Sequence, residues 1–113
     1  MTTNSHHEIS LQEAVDMTTL YRNNRPSNFF ICETFERAAI DKLLATEGCY
    51  FVRIYLGMLP DLTVDAILVA ANNDGEDILP AEPEPADKAN SAIIIEDGFR
   101  CPEACPPPSP LNT

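Results

Sequence analysis

The chain has 113 residues, 44% hydrophobic and 22% charged, which is the composition of an ordinary globular domain. A single domain of that length hides roughly two thirds of its unfolded surface. Eighteen acidic residues against seven basic ones give a net charge of −11 and a pI near 4.3. That balance argues against a nucleic-acid backbone or an anionic membrane surface as partner, since both require clustered Lys and Arg.

The first predicted element is a helix opened by Ser10 and Glu13, which form a capping box, with Ile9 and Ala14 at the staple positions. Leu11, Ala14, Val15, Thr18 and Tyr21 follow the helical period. Asn23 and Asn24 before Arg25-Pro26 end the helix, because a residue preceding proline avoids the α region. Asn28 to Cys32 reads as a short strand or an extended lead-in. A second helix is predicted from an N-cap at Thr34 to Ala45, burying Phe35, Ala38, Ala39, Ile40 and Leu43, with Gly48 as its stop. Cys49 to Met58 is β-branched and aromatic and reads as a long strand; Pro60-Asp61 turns the chain, and Thr63 to Ala71 is a second long strand. Asn72-Asn73-Asp74-Gly75 is a hairpin signal, after which Asp77 to Leu79 pairs back. A last strand is predicted over Ala92 to Glu96.

This order gives an α+β fold: a mostly antiparallel β-meander sheet of three to five strands with two helices packed on one face. Residues 1–98 are expected to form the single domain, with an acidic Pro-rich linker at 80–91, and residues 99–113 a Pro/Cys-rich C-terminal tail. Charge and proline are uneven along the chain. Residues 74–113 carry nine acids, two bases and eight of the ten prolines. Neither long strand has a clean polar face. Val52, Ile54, Leu56 and Met58 alternate with Phe51 and Tyr55, and Val64, Ala66, Leu68 and Ala70 with Ile67, Val69 and Ala71. A sheet with one wet face should alternate apolar and polar residues, and two helices cover only one face, so a second copy of the chain is expected to cover the other.

Four cysteines occur, Cys32, Cys49, Cys101 and Cys105. Cys32 and Cys49 sit beside apolar runs and read as buried small hydrophobes. Cys101 and Cys105, four residues apart among prolines, have three readings: a structural tail, a disulfide, or two ligands of a metal or redox site. A closed zinc site needs four ligands, and the spare histidines, His6 and His7, stand at the far end of the chain. The oxygens of Asn72, Asp74, Glu76 and Asp77 fit a tight turn rather than a calcium loop, which needs a distal Glu. Arg53, with Tyr55 and Glu33, is a candidate anion site; the competing reading pairs Arg53 with Glu33, Glu36 or Asp65. The motifs G-x-S-x-G, G-x-G-x-x-G, H-E-x-x-H and the P-loop are all missing, so no catalytic residue, resident metal or cofactor is assigned.

Several stretches carry a resemblance. They are Ile9-Ser10-Leu11-Gln12-Glu13-Ala14 with Met17-Thr18 and Tyr21-Arg22, then Phe35-Glu36-Arg37-Ala38-Ala39-Ile40-Asp41, then Arg53-Ile54-Tyr55-Leu56-Gly57-Met58. Ile67-Leu68-Val69 before Asp74-Gly75, and the Cys-Pro tail ending Ser109-Pro110-Leu111-Asn112, complete them. Together they resemble a family of short hypothetical proteins of Bacteroidetes bacteria. The resemblance implies a bacterial single-domain protein and carries over no functional residue.

The expected function is a small non-enzymatic, self-associating protein-interaction module: a homodimer with a further protein partner, and neither nucleic acid nor membrane. The alternatives are a thiol/disulfide or metal-binding protein using Cys101 and Cys105, and a small-anion binding protein or enzyme with a sheet-face pocket around Arg53. The N-terminus has no basic start and no apolar stretch, and the longest uncharged apolar run, Ala66 to Ala71, is far short of the roughly 20 residues of a span, so a cytoplasmic protein is expected.

Overall fold

The computed structural model describes residues 6–81 and 92–113. The predicted acidic linker therefore lies, from residue 82 onward, outside the described residues. Helix α1 spans Leu11–Asn24 and opens with both arms of the capping box. The Ser10 hydroxyl accepts from the Glu13 N–H at 3.0 Å, and the Glu13 carboxylate accepts from the Ser10 N–H at 2.9 Å. Arg25 is extended at ψ 144°, as the following Pro26 requires. The helix contributes no buried side chain. It is tied down by Tyr21, whose hydroxyl donates to the Phe30 carbonyl at 2.5 Å, and by Arg22, which donates to the carbonyls of Leu111 (2.6 Å) and Thr113 (2.8 Å).

Strand β1 (Cys32–Thr34) is followed by helix α2 (Arg37–Leu44). The helix starts later than the N-cap expected at Thr34, because Thr34 is held in a ladder opposite Phe99; Glu36 takes the capping position. Gly48, at φ +84°, turns the chain out of the helix in a conformation that side chains disfavour. Strands β2 (Phe51–Met58) and β3 (Val64–Ala71) pair antiparallel over their whole length, from Phe51 opposite Ala71 to Met58 opposite Val64. The turn after β3 is set by Asn72, whose side-chain oxygen accepts from the N–H groups of Asp74 (2.9 Å) and Glu76 (3.0 Å), with Gly75 at φ +85°. It leads into β4 (Asp77–Ile78), which pairs back on β3. Strand β5 (Ile94–Ile95) also pairs with β3, opposite Val69 and Leu68.

The fold is α+β, with two helices, a four-stranded antiparallel sheet and a separate two-stranded ladder among the described residues. The ladder departs from the expected boundary at residue 98. Phe99–Cys101 is a sixth strand, β6, whose residues Cys101, Arg100 and Phe99 lie opposite Cys32, Glu33 and Thr34 of β1. So the segment read as the start of a tail is ordered by backbone pairing with a strand about seventy residues earlier, which no local pattern announces.

Leu43 of α2 packs on Leu68 and Ala70 of β3, with Phe35, Ile40, Ile78, Ile93 and Ile95 around them. This fills the face of β3 that carries the even-numbered residues. On the opposite face Val69 and Ala71 are also buried. There Arg53 of β2 reaches Asp77 of β4, so the ion pair spans the strand between them and covers two small side chains.

Candidate functional site

Four different groups occupy the outer edge of β3. Ile78 and Ile95 stand opposite Ala70 and Leu68. The Ala66 N–H donates to the Glu33 carboxylate at 3.1 Å, and the Val64 N–H to the Asn28 carbonyl at 3.0 Å. Glu33 thus stands in for a strand carbonyl where no strand is available. Its second oxygen accepts from the Gly98 N–H at 3.1 Å, which joins β1, β3 and the approach to β6. Gly98 is needed for that approach, because a Cβ there would lie 2.7 Å from Glu33 Cγ and 2.9 Å from the Phe35 ring.

Asp65 lies beside Glu33 and is only 3% exposed. It receives Arg100 Nη1 at 2.9 Å; the same guanidinium lies 3.9 Å from Glu33, 3.6 Å from Asp97, and 5.4 Å from the centre of the Phe30 ring. Among the described residues, Asp65 Oδ2 has no hydrogen-bond donor. Its neighbours are the Glu96 and Glu33 carboxyls, either of which can donate to it when protonated. The electrostatics agree. Burial, and then Asp65, push the Glu33 carboxyl up from the ordinary glutamate range, and the hydrogen bond to Asp65 pushes Glu96 up. Burial of Asp65 works against its ionisation, yet Glu96, Glu33 and Arg100 together hold it below the ordinary aspartate range.

These directions predict an unusual pH profile. Glu33 and Glu96 titrate higher folded than unfolded, so their contribution is full at acid pH and is lost as pH rises past the glutamate range. Asp65 and Asp77 titrate lower folded, so theirs is present above the aspartate range and is lost only as pH falls below it. Between those limits stability declines toward neutrality, and the repulsion of 11 net negative charges acts in the same sense. Thermal melts should give a higher Tm at pH 5.5 than at pH 7.5, and Glu96→Gln should flatten the difference. A Tm that climbs toward pH 7.5 would contradict this account of the cluster.

Two open clefts flank the segment that carries Arg100. One, of about 660 Å³, is lined by Phe30, Leu59, Phe99, Arg100 and Pro102; the other, of about 260 Å³, by Phe35, Ala39, Ile94, Glu96 and Phe99. Arg100 lines the larger cleft already engaged by Asp65, and Glu33, engaged by two backbone N–H groups, lines neither. The cluster therefore works as a lock between the ladder and the sheet. Among the described residues no three His, Cys, Asp or Glu side chains are grouped to hold a metal ion.

The anion candidates do not come together as a trio. Arg53 and Tyr55 meet, but at Asp77: the guanidinium pairs with one carboxylate oxygen and the Tyr55 hydroxyl donates to the other at 2.5 Å. The hydrogen bond from Tyr55 and the charge of Arg53 hold Asp77 below the ordinary aspartate range. Glu33 belongs to the Arg100 cluster. The partner of Arg53 is thus Asp77, rather than Glu33, Glu36 or Asp65, because the hairpin brings β4 to the far side of β3, within reach of the Arg53 side chain. Cys101 and Cys105 form a disulfide, and Cys32 and Cys49 are free thiols.

The remaining feature is β2 itself. Its only strand neighbour among the described residues is β3. The hydrogen bond from the Leu59 N–H to the Thr63 carbonyl sets the phase of the ladder, so the odd-numbered residues of β2 direct their backbone groups to β3. The backbone N–H and C=O groups of Val52, Ile54, Leu56 and Met58 consequently face outward along an open edge eight residues long. The side chains are open as well. Phe51, Val52, Ile54, Tyr55, Leu56 and Met58 are between 42% and 74% exposed, Leu56 most of all. Natural edge strands are shortened, charged or covered; this one is eight residues long, its one charge, Arg53, is paired with Asp77, and among the described residues no strand covers its outer edge. No family model, curated protein or solved structure matches the chain. No helix of the described residues is long and apolar enough to cross a membrane.

Proposed function

We propose that this protein is a non-enzymatic module that self-associates through the open edge of β2, joining two copies into one continuous antiparallel sheet. The observation that carries the reading is the contrast between the two edges: four separate groups occupy that of β3, while that of β2, among the described residues, offers unpaired backbone and six exposed apolar side chains. Contiguous apolar exposure on this scale marks interaction surfaces.

The chemistry of the edge favours a second copy as occupant. Two-fold antiparallel pairing centred on Tyr55 places Val52 opposite Met58 and Ile54 opposite Leu56, so all four outward-facing residues bond reciprocally. Arg53 then lies opposite Gly57, and no like charges meet. Each copy carries a net charge of −11, which repels a second copy elsewhere on the surface, but β2 has one charge only and Asp77 neutralises it.

Native mass spectrometry at micromolar concentration should give twice the 12.5 kDa chain mass. Leu56→Lys, at an exposed position, should yield a folded monomer. In the proposed register Ile54→Glu combined with Leu56→Lys sets opposite charges directly across both pairs, and the dimer should return. A wild-type monomer would overturn the proposal; a dimer indifferent to Leu56→Lys would remove β2 from it.

A further inference from the structure

We infer that Cys32, Cys101 and Cys105 form a thiol–disulfide exchange relay, in which the disulfide between Cys101 and Cys105 passes to Cys32 and releases Cys105 as an accessible thiol. This inference is independent of self-association through β2.

The register of the small ladder carries it. Cys32 is the direct partner of Cys101 between β1 and β6. Residues directly opposite in an antiparallel pair project to the same side, with Cα atoms about 4.5–5.5 Å apart. That spacing lies inside the range of about 4.4–6.8 Å over which a disulfide forms. So the side chain of a free cysteine projects to the same side as one end of an existing disulfide, on a ladder whose register fits the alternative bond. The Arg100 lock next to both cysteines fixes β1 against β6 and keeps that register.

Exposure gives the three sulfurs different parts. Cys101 is 3% exposed and closed to large reagents, Cys32 is half-buried, and Cys105 lies on the exposed stretch that follows β6. An internal thiol therefore has the nearer approach to Cys101. Cys49, the other free cysteine, packs against the Leu43 core and is no part of the ladder.

The exchange balances without an oxidant or a reductant. Cys32 loses its proton to water, and the Cys32 thiolate attacks Cys101 Sγ. The Cys32–Cys101 bond forms as the Cys101–Cys105 bond breaks. The electron pair of the broken bond leaves on Cys105 Sγ, which takes a proton from water. One disulfide and one thiol are present before and after; what changes is that the thiol moves from a half-buried site to an exposed one, open to dissolved thiols and disulfides.

The readout is a peptide map, because trypsin places Cys32 in fragment 23–37 (Pro26 protects the bond after Arg25) and Cys101 with Cys105 in fragment 101–113. In Cys105→Ser, full-length protein treated with oxidised glutathione should join fragments 23–37 and 101–113 within a single chain. If Cys32 and Cys101 instead stay reduced, or each carries glutathione with no cross-link, the relay is overturned. A second variant guards against a misfolded first one. Untreated wild type held at pH 8 with a maleimide should acquire label on Cys105, and Cys32→Ser should acquire at least tenfold less. Equal labelling of Cys105 in the two proteins would equally sink the inference.

Discussion

Arg100→Met should destabilise the protein by about 3 kcal/mol at neutral pH, the range observed when one partner of a buried ion pair is removed. Asp65 is almost fully buried and, among the described residues, Arg100 is its one cationic partner within hydrogen-bond distance, so the substitution removes that counter-charge from a carboxylate in the interior beside Glu33. Methionine keeps most of the side-chain volume over the Phe30 ring, so the loss reports charge rather than a cavity. Two features distinguish this from ordinary packing loss. The deficit should shrink in mildly acid solution, where Asp65 and Glu33 accept protons. It should also shrink in the double variant Arg100→Met/Asp65→Asn, because the stranded charge is then gone. Urea unfolding of the four proteins of the cycle gives the coupling between the two residues directly. A cost below about 1 kcal/mol, or a double variant no better than the sum of the singles, would show that water reaches Asp65 after all.

This cluster was the hardest part of the molecule to read from sequence, and the reason is physical. The capping box at Ser10 and Glu13, the end of α1 before Pro26, the pairing of β2 with β3 and the turn at Asn72 to Gly75 all rest on interactions between residues near in sequence. Each leaves a local signature: a spacing, a proline, a run of β-branched residues, a residue that tolerates positive φ. Glu33 meets Gly98 across 65 positions, and Arg100 meets Asp65 across 35. Nothing periodic records such meetings. One signal was nevertheless there. Asp65 is the single charged residue within the apolar strand Val64–Ala71, and a charge in such a run needs a buried partner. Arg53 is one candidate partner, but in the ladder it stands opposite Val69 while Asp65 stands opposite Gly57, and the cation that reaches Asp65 comes from the segment expected to be a tail. The absence of a polar face on β2 was legible for the opposite reason. It is a property of consecutive residues, and the exposure of Leu56 and Ile54 is its structural counterpart. The disulfide was one of three readings open for Cys101 and Cys105. The position of Cys32 opposite Cys101 was not legible, since it depends on the register of a strand that sequence did not reveal.

Leu43→Ala should cost about 3 kcal/mol, within the range of about 2–5 kcal/mol for emptying a closed leucine site. Leu43 is fully buried, and it is the largest such side chain among the described residues. It joins α2 to Leu68 and Ala70, and the ring of isoleucines around it comes from α2, β4, β5 and the chain entering β5, so none can collapse into the void without moving its own element. A domain of this size has only about 5–15 kcal/mol of total stability, so a large share rests on one side chain. Leu44 is the control. It is the next residue of the same helix, it is 51% exposed, and Leu44→Ala should change stability by less than about 0.5 kcal/mol. In urea the Leu43 variant should unfold at a much lower midpoint with an unchanged slope, while the Leu44 variant follows wild type. Similar midpoints for the two variants would mean that α2 is not docked through Leu43. The core would then have to be sought on the other face of β3, where Val69 and Ala71 lie under Arg53 and Asp77.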